Sequence, residues 1–144
     1  MNVGLVEISA DQVIGLNRAA VEQAHRWDAK CQQKHVVRDP NGVKACVGGI
    51  FQQLNPNGYV HLPMEKMAGL LLYRIAEGQY FLDANKRTAL LSAVVFLQNN
   101  AHQLKVDRGA VNDLMWGFAP PNPKYKESDA IQFIFDNIIP KIQP

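Results

Sequence analysis

Apolar residues recur along this chain mainly at three- and four-residue intervals, the spacing of a helix that buries one face. Val13, Ile14, Leu16, Ala20, Val21 and Ala24 keep that rhythm behind Ser9 and Asp11, either of which can cap a helix. That helix is expected to end near Trp27 or Lys30. From Cys31 to Asn41 the chain turns polar and closes on Asp39-Pro40-Asn41-Gly42, a turn signal. A short helix over Val43–Leu54 is expected next, weakened in its middle by Gly48-Gly49. Asn55-Pro56-Asn57-Gly58 reads as a second turn, and Tyr59-Val60-His61-Leu62 after it is long enough only for an extended edge or a hairpin arm.

The two most regular stretches come next. Pro63 suits the first position of a helix and Glu65 its first turn, and Met64, Met67, Ala68, Leu71, Leu72 and Ile75 form a stripe that runs to about Glu77, with Gly78 as a stop. After the connection Gln79–Ala84, a helix from near Asn85 to about Asn99 is predicted, with Leu90, Leu91, Val94, Val95 and Leu97 on its buried side. Ala110–Trp116 reads as helical, and Ala119-Pro120-Pro121-Asn122-Pro123 as a loop. Ser128 is expected to cap a last helix carrying Ile131, Ile134, Phe135 and Ile138. The pattern predicts one all-α domain over residues 1–144: a bundle of about six helices with at most a small β flap.

Composition narrows the class. With 47% hydrophobic and 19% charged residues, the chain is too apolar for disorder. Its longest apolar stretch, Met67–Tyr73, is far short of the ~20 residues that span a bilayer, so no membrane partner is expected. Fifteen basic and thirteen acidic side chains leave +2, with no basic run, so no nucleic-acid partner is expected. Cys31 and Cys46 have no metal-ligand spacing and read as small core residues. Met1–Ala10 shows no basic start and no sustained apolar run, which leads to the expectation of a cytoplasmic protein.

Chemistry concentrates in Gly78-Gln79-Tyr80-Phe81-Leu82-Asp83-Ala84-Asn85-Lys86-Arg87, between the two regular helices. Ala84 is small enough for a tight turn, and the unpaired N–H groups that open the following helix form an anion site backed by the positive end of the helix dipole. Lys86 and Arg87 are unfavourable beside that end unless an anion, such as a phosphate, compensates them. Asp83 supplies an oxygen just ahead of the turn, as a magnesium ion shared with phosphates requires. Spacing alone equally allows Asp83 to be a helix cap and the two cations to be solvated.

The segment resembles the signature of the Fic/Doc family, H-x-F-x-(D/E)-(A/G)-N-(K/G)-R, and its Doc (death-on-curing) form D-A-N-K-R-T-A-L, through Phe81, Asp83, Ala84, Asn85, Lys86, Arg87, Thr88, Ala89 and Leu90. The likeness extends to Ser92, Ala93 and Val94–Leu97, to the preceding helix and more loosely to Ile8–Val21. It implies an α-helical transferase that moves part of a nucleotide, or a phosphate, onto a protein hydroxyl. On that similarity Asp83 ligates Mg2+, Ala84, Asn85, Lys86 and Arg87 hold the phosphates of ATP together with the loop amides, and Phe81 anchors the loop. Adenylyl-transferring members carry G-N-G-R-x-x-R. Lys86 and Leu90 replace its second glycine and second arginine, which favours the Doc reading: a toxin that phosphorylates a translation elongation factor.

One position departs from the signature. Gln79 stands where the family has its general-base histidine, and an amide cannot take a hydroxyl proton, although it can orient one. Three accounts remain open: an engineered inactivation, a native loss of the base, or a stand-in, for which His61 is the best placed. His25, His35 and His102 lack supporting context, and Tyr59, Tyr80, Trp27 and Trp116 read as packing residues. A family self-inhibitory motif, (S/T)-x-x-x-E-(G/N), is not formed at Ser9, Thr88, Ser92 or Ser128, so a separate antitoxin is expected. The competing reading is a Fic-fold module that binds a nucleotide or protein without chemistry, with adenylyl transfer as a further alternative.

Overall fold

A computed structural model describes residues 5–51, 54–55, 58–59, 62–105, 107–118 and 123–140. Helix α1 (Ala10–Trp27) starts at Ser9, whose Oγ accepts the Gln12 N–H while Gln12 Oε1 accepts the Ser9 N–H. Of the two candidate caps it is therefore Ser9 that acts. Helix α2 (Pro40–Phe51) begins three residues earlier than the pattern suggests. The Asp39-Pro40-Asn41-Gly42 turn is its first turn, because Asp39 Oδ1 accepts the Gly42 N–H and Pro40 needs no partner for a missing donor. Strands β1 (Leu54–Asn55) and β2 (Gly58–Tyr59) then pair antiparallel, so Leu54 belongs to a strand and not to the expected helix, and Tyr59 of the expected arm Tyr59–Leu62 lies in β2. His61 lies outside the described residues.

Helices α3 (Met64–Gly78) and α4 (Asn85–Asn99) fall where the periodicity puts them, but burial differs from the predicted stripes. On α3, Gly69, Leu70 and Ala76 are buried together with Met67, Ala68, Leu71, Leu72 and Ile75, because this helix packs against α2, α4 and α6. Contact with three helices widens the buried face beyond a single stripe and leaves Lys66 and Glu77 exposed. On α4 the buried face is Thr88, Ala89, Ser92, Ala93, Phe96 and Leu97, whereas Leu90, Leu91, Val94 and Val95 are only half-buried. Small side chains let α4 approach α3 and α1 closely, and the hydroxyls on that face are satisfied locally. Thr88 Oγ1 donates to Ala84 O (2.7 Å) and Ser92 Oγ to Thr88 O (2.7 Å).

Strand β3 (His102–Leu104) follows α4 and pairs antiparallel with β4 (Ile138–Pro140), a ladder that helical periodicity does not foresee. Between them lie α5 (Arg108–Gly117), capped by Asp107, and α6 (Glu127–Asn137). The last helix starts before Ser128, the expected cap: Asp129 reaches back to accept the Lys126 N–H at 2.7 Å. Phe135 is exposed, and Ala130 and Ile134 face the core. Cys46 is buried, but Cys31 is only half-buried and lines a cavity, so it is not a core residue. No helix among the described residues is long and apolar enough to cross a membrane.

Helices α3 and α6 meet at Gly69, where an added Cβ would lie 2.6 Å from the Ile131 Cα. Gly69→Ala is therefore expected to lower stability by roughly 1–3 kcal/mol through overpacking. Gly15→Ala, in open space inside α1, is expected to raise it by about 0.5–1 kcal/mol through helix propensity. Urea unfolding of the two variants should shift the midpoint in opposite directions.

Candidate functional site

The connection between α3 and α4 is held by its own backbone and by one carboxamide. Gln79 and Ala84 both adopt left-handed φ (52° and 63°), one ending α3 and the other opening α4. Phe81, fully buried, pins the middle of the loop to the core. The buried Asn85 side chain closes the turn: Oδ1 accepts the Phe81 N–H (3.0 Å) and Nδ2 donates to Phe81 O (2.8 Å). A loop this short cannot satisfy both groups through regular structure, and unpaired buried donors and acceptors are expensive.

A strand-like segment supports the loop from outside. Val37 bridges Phe81, Leu82 donates its N–H to Val36 O (3.0 Å), and Arg38 and Asp39 donate theirs to Tyr80 O (2.8 and 3.1 Å). Asp83 Oδ2 accepts the Lys34 N–H at 2.8 Å. Beneath the turn, buried Asn17 donates through Nδ2 to Asp83 O (2.8 Å) and to Thr88 Oγ1 (3.0 Å), and its Oδ1 faces His35 Nδ1 at 2.7 Å. With Nδ2 donating twice, Oδ1 is the acceptor, which places the His35 proton on Nδ1. Burial, aided by the Arg18 charge and opposed by Glu22, holds the His35 pKa below its ordinary value, which favours the neutral ring.

Above the turn lies an open cavity of about 820 Å³, lined by Gln79, Asp83, Ala84, Asn85, Lys86 and Arg87 together with residues of α1, α5 and the Cys31–Gln33 stretch. The structure thus brings every proposed site residue to one place. Helix α4 opens there with no side chain capping it, because Ala84 has no acceptor to offer. Among the described residues the ion pair is Arg74–Glu127 (3.2 Å), so neither Lys86 nor Arg87 has a carboxylate in salt-bridge range. Arg87 Nη1 donates weakly to Ala20 O (3.5 Å). The uncapped helix end and the two uncompensated cations favour an anion.

Two positions differ in detail from the signature-based expectation. The Asn85 carboxamide is engaged within the loop, with both of its polar atoms bonded to the Phe81 backbone. Gln79 Nε2 donates to Ala76 O (2.8 Å) and its Oε1 lies 3.4 Å from Asn85 Nδ2, so its amide closes the end of α3. Trp27 and Trp116, expected to pack, are instead exposed and line the cavity. Sequence reasoning also passed over Asn17. The signal was present in a polar residue at the i+4 position from Val13 on an otherwise apolar face. The supporting segment left no such signal, since its order comes from pairing with the loop.

The donor set can be tested against magnesium. No group of three His, Cys, Asp or Glu side chains among the described residues could cage a metal. Asp83 alone, with one oxygen already taken by Lys34, fits an ion whose other ligands are phosphate oxygens and water. Compared with protein families, the chain matches the Fic/DOC family over residues 7–97, more than half its length, and it belongs to that family. No curated protein matches it closely enough to add to that assignment.

Removing the turn's staple should be costly. Asn85→Ala leaves both Phe81 backbone groups unpaired in a buried setting, and a loss of roughly 2–4 kcal/mol is expected in urea unfolding, with the slope unchanged. A second measurement concerns Tyr80, whose ring fills the space over Gly42 and Gly78. Burial above all, then the Cys46 thiol and the charges of Glu77 and Asp39, push its hydroxyl from the ordinary 10 up to about 12. The fold favours the neutral phenol, so this stabilisation is complete below pH 10 and is lost as pH rises toward 12. Relative to Tyr80→Phe, the unmodified protein should lose stability over that interval.

Proposed function

We propose that this chain is a Doc-type Fic domain that holds ATP with Mg2+ at the opening of α4, and that Gln79 leaves it with little or no transfer activity. The observation that carries this reading is the uncapped N-terminus of α4, with Lys86 and Arg87 free of carboxylates, facing a cavity within the ~300–1,000 Å³ range of small-molecule sites. Ala84, Asn85, Lys86 and Arg87 would hold the phosphates, the first two through backbone N–H groups. Asp83 would ligate Mg2+, which when bound neutralises phosphate charge. Leu90, where adenylyl-transferring members have a second arginine, packs against the core, which favours phosphate transfer over adenylyl transfer.

In the reaction so inferred, a hydroxyl oxygen of a translation elongation factor bonds to the γ-phosphorus as the bridge to ADP breaks, and the hydroxyl proton needs an acceptor. Gln79 offers an amide already bonded to Ala76 and Asn85, and an amide does not take a proton. Those same bonds favour the second reading, a module that binds a nucleotide or a protein and does no chemistry. In the first reading the protein acts in the cytoplasm as a toxin restrained by a separate antitoxin.

The decisive comparison is between the unmodified chain and Gln79→His, each given Mg2+, a bacterial lysate and ATP labelled at either the α- or the γ-phosphate. Histidine tolerates left-handed φ better than most residues, so the backbone at 79 should accept it. Both proteins are expected to bind ATP, and γ-label transfer is expected to rise by roughly 10²–10⁴ in the histidine form, the usual scale of general-base assistance. Binding without transfer by either form would favour the module. Transfer of the α-label would favour adenylylation.

A further inference from the structure

Both tryptophans of the chain stand at this cavity, Trp27 at the end of α1 and Trp116 on α5, and they are 68% and 64% exposed. An indole carries a large apolar surface whose burial ordinarily stabilises a fold, yet neither ring is part of the core. Each instead has a cation over it. Lys86 Nζ lies 4.1 Å from the Trp116 ring centre and Arg87 Cζ lies 5.1 Å from that of Trp27, both inside the ~6 Å over which a ring face attracts positive charge. Two consecutive residues of one helical turn are thus held by rings from two different helices.

The choice of partner has an electrostatic consequence. Lys86 and Arg87 sit against the positive end of α4, so something must hold them there. A carboxylate would do so, but its full negative charge would repel an incoming phosphate and lower the attraction of the whole cavity. An indole face attracts the cation through its quadrupole and adds no net charge. Asp83, the acid nearest in sequence, lines the same cavity but turns one oxygen to the Lys34 N–H rather than to either cation.

We infer that Trp27 and Trp116 are positioning residues that hold Arg87 and Lys86 ready for a polyphosphate without neutralising them. This rests on the anion-site reading above and adds to it the groups that aim the two cations. The rings do not touch the reacting atoms, and their effect passes through the cations.

Calorimetric titration of the full chain with inorganic tripolyphosphate at low salt tests the inference, because that probe has no base to stack. Trp27→Leu and Trp116→Leu should each weaken binding about two- to five-fold, the scale of an exposed cation–π pair, while Trp27→Phe and Trp116→Phe should recover most of it. Unchanged binding in the Leu variants would overturn the inference. So would a loss seen for ATP but not for tripolyphosphate, which would make the rings a platform for the base. A ligand-free measurement separates this from the underlying reading. In Trp27→Phe the indole emission comes from Trp116 alone, and adding Lys86→Met should change it; in Trp116→Phe, Arg87→Met should change the emission of Trp27. Tripolyphosphate binding with no such emission changes overturns the pairs and leaves the anion site standing. Failure of the unmodified chain to bind tripolyphosphate overturns the anion site, and the positioning role with it, even where emission shows that the pairs form.

Discussion

The geometry of the site depends on the Asn85 carboxamide. By accepting from the Phe81 N–H and donating to the Phe81 carbonyl, it turns the loop between α3 and α4 into a closed ring of hydrogen bonds around a fully buried aromatic anchor. With that ring in place, Ala84 is committed to its left-handed turn, α4 starts uncapped, and the side chains of Lys86 and Arg87 leave the helix at the cavity rather than over the core. Asn17 secures the same turn from below through Asp83 O and Thr88 Oγ1. The groups that fix the turn are amides, which hold the backbone without adding charge; the proposed anion site would need such donors fixed before the ligand arrives.

The helices were legible because their start and stop signals are local. Ser9, Pro63, Gly78 and Asn85 mark boundaries that the fold respects to within a residue. What was not legible lies between elements. On α4 the large aliphatic residues suggested the buried face, but the tight approach of α1 and α3 selects the small one, and this competition is decided by neighbours that no window of sequence contains. The β3–β4 ladder and the Lys34–Asp39 support are likewise long-range pairings of segments with little intrinsic preference. The candidate site was legible to the extent that it is contiguous. Residues 79–87 converge as expected, whereas Asn17, Trp27 and Trp116 enter from other helices, and the two tryptophans were misassigned because composition alone makes an aromatic residue a core residue.

The charge balance takes on meaning from this arrangement. A net +2 over the chain gives no long-range pull on a polyanion. In the proposed reading the attraction is instead short-ranged, made by one helix end and two adjacent cations in a cavity, as a small, highly charged ligand would require. The substitution at 79 leaves that attraction intact, because Gln79 is engaged with α3 and Asn85 and is not one of the cations. In the proposed reading, holding a phosphate and accepting a proton are separate tasks, and the first makes no demand on the Gln79 amide.

The far end of α4 has an architecture of its own. Asn100, which ends that helix, pairs its carboxamide with both backbone groups of Val6, and β3, which begins two residues later, pairs with β4. The segments around Val6 and Ile138–Pro140 are therefore gathered at one pole of the molecule. The cavity sits at the other, separated by the 15 residues of α4, roughly 22 Å. A surface, dye or carrier protein attached near either segment would hold the molecule from behind, with the cavity facing solution.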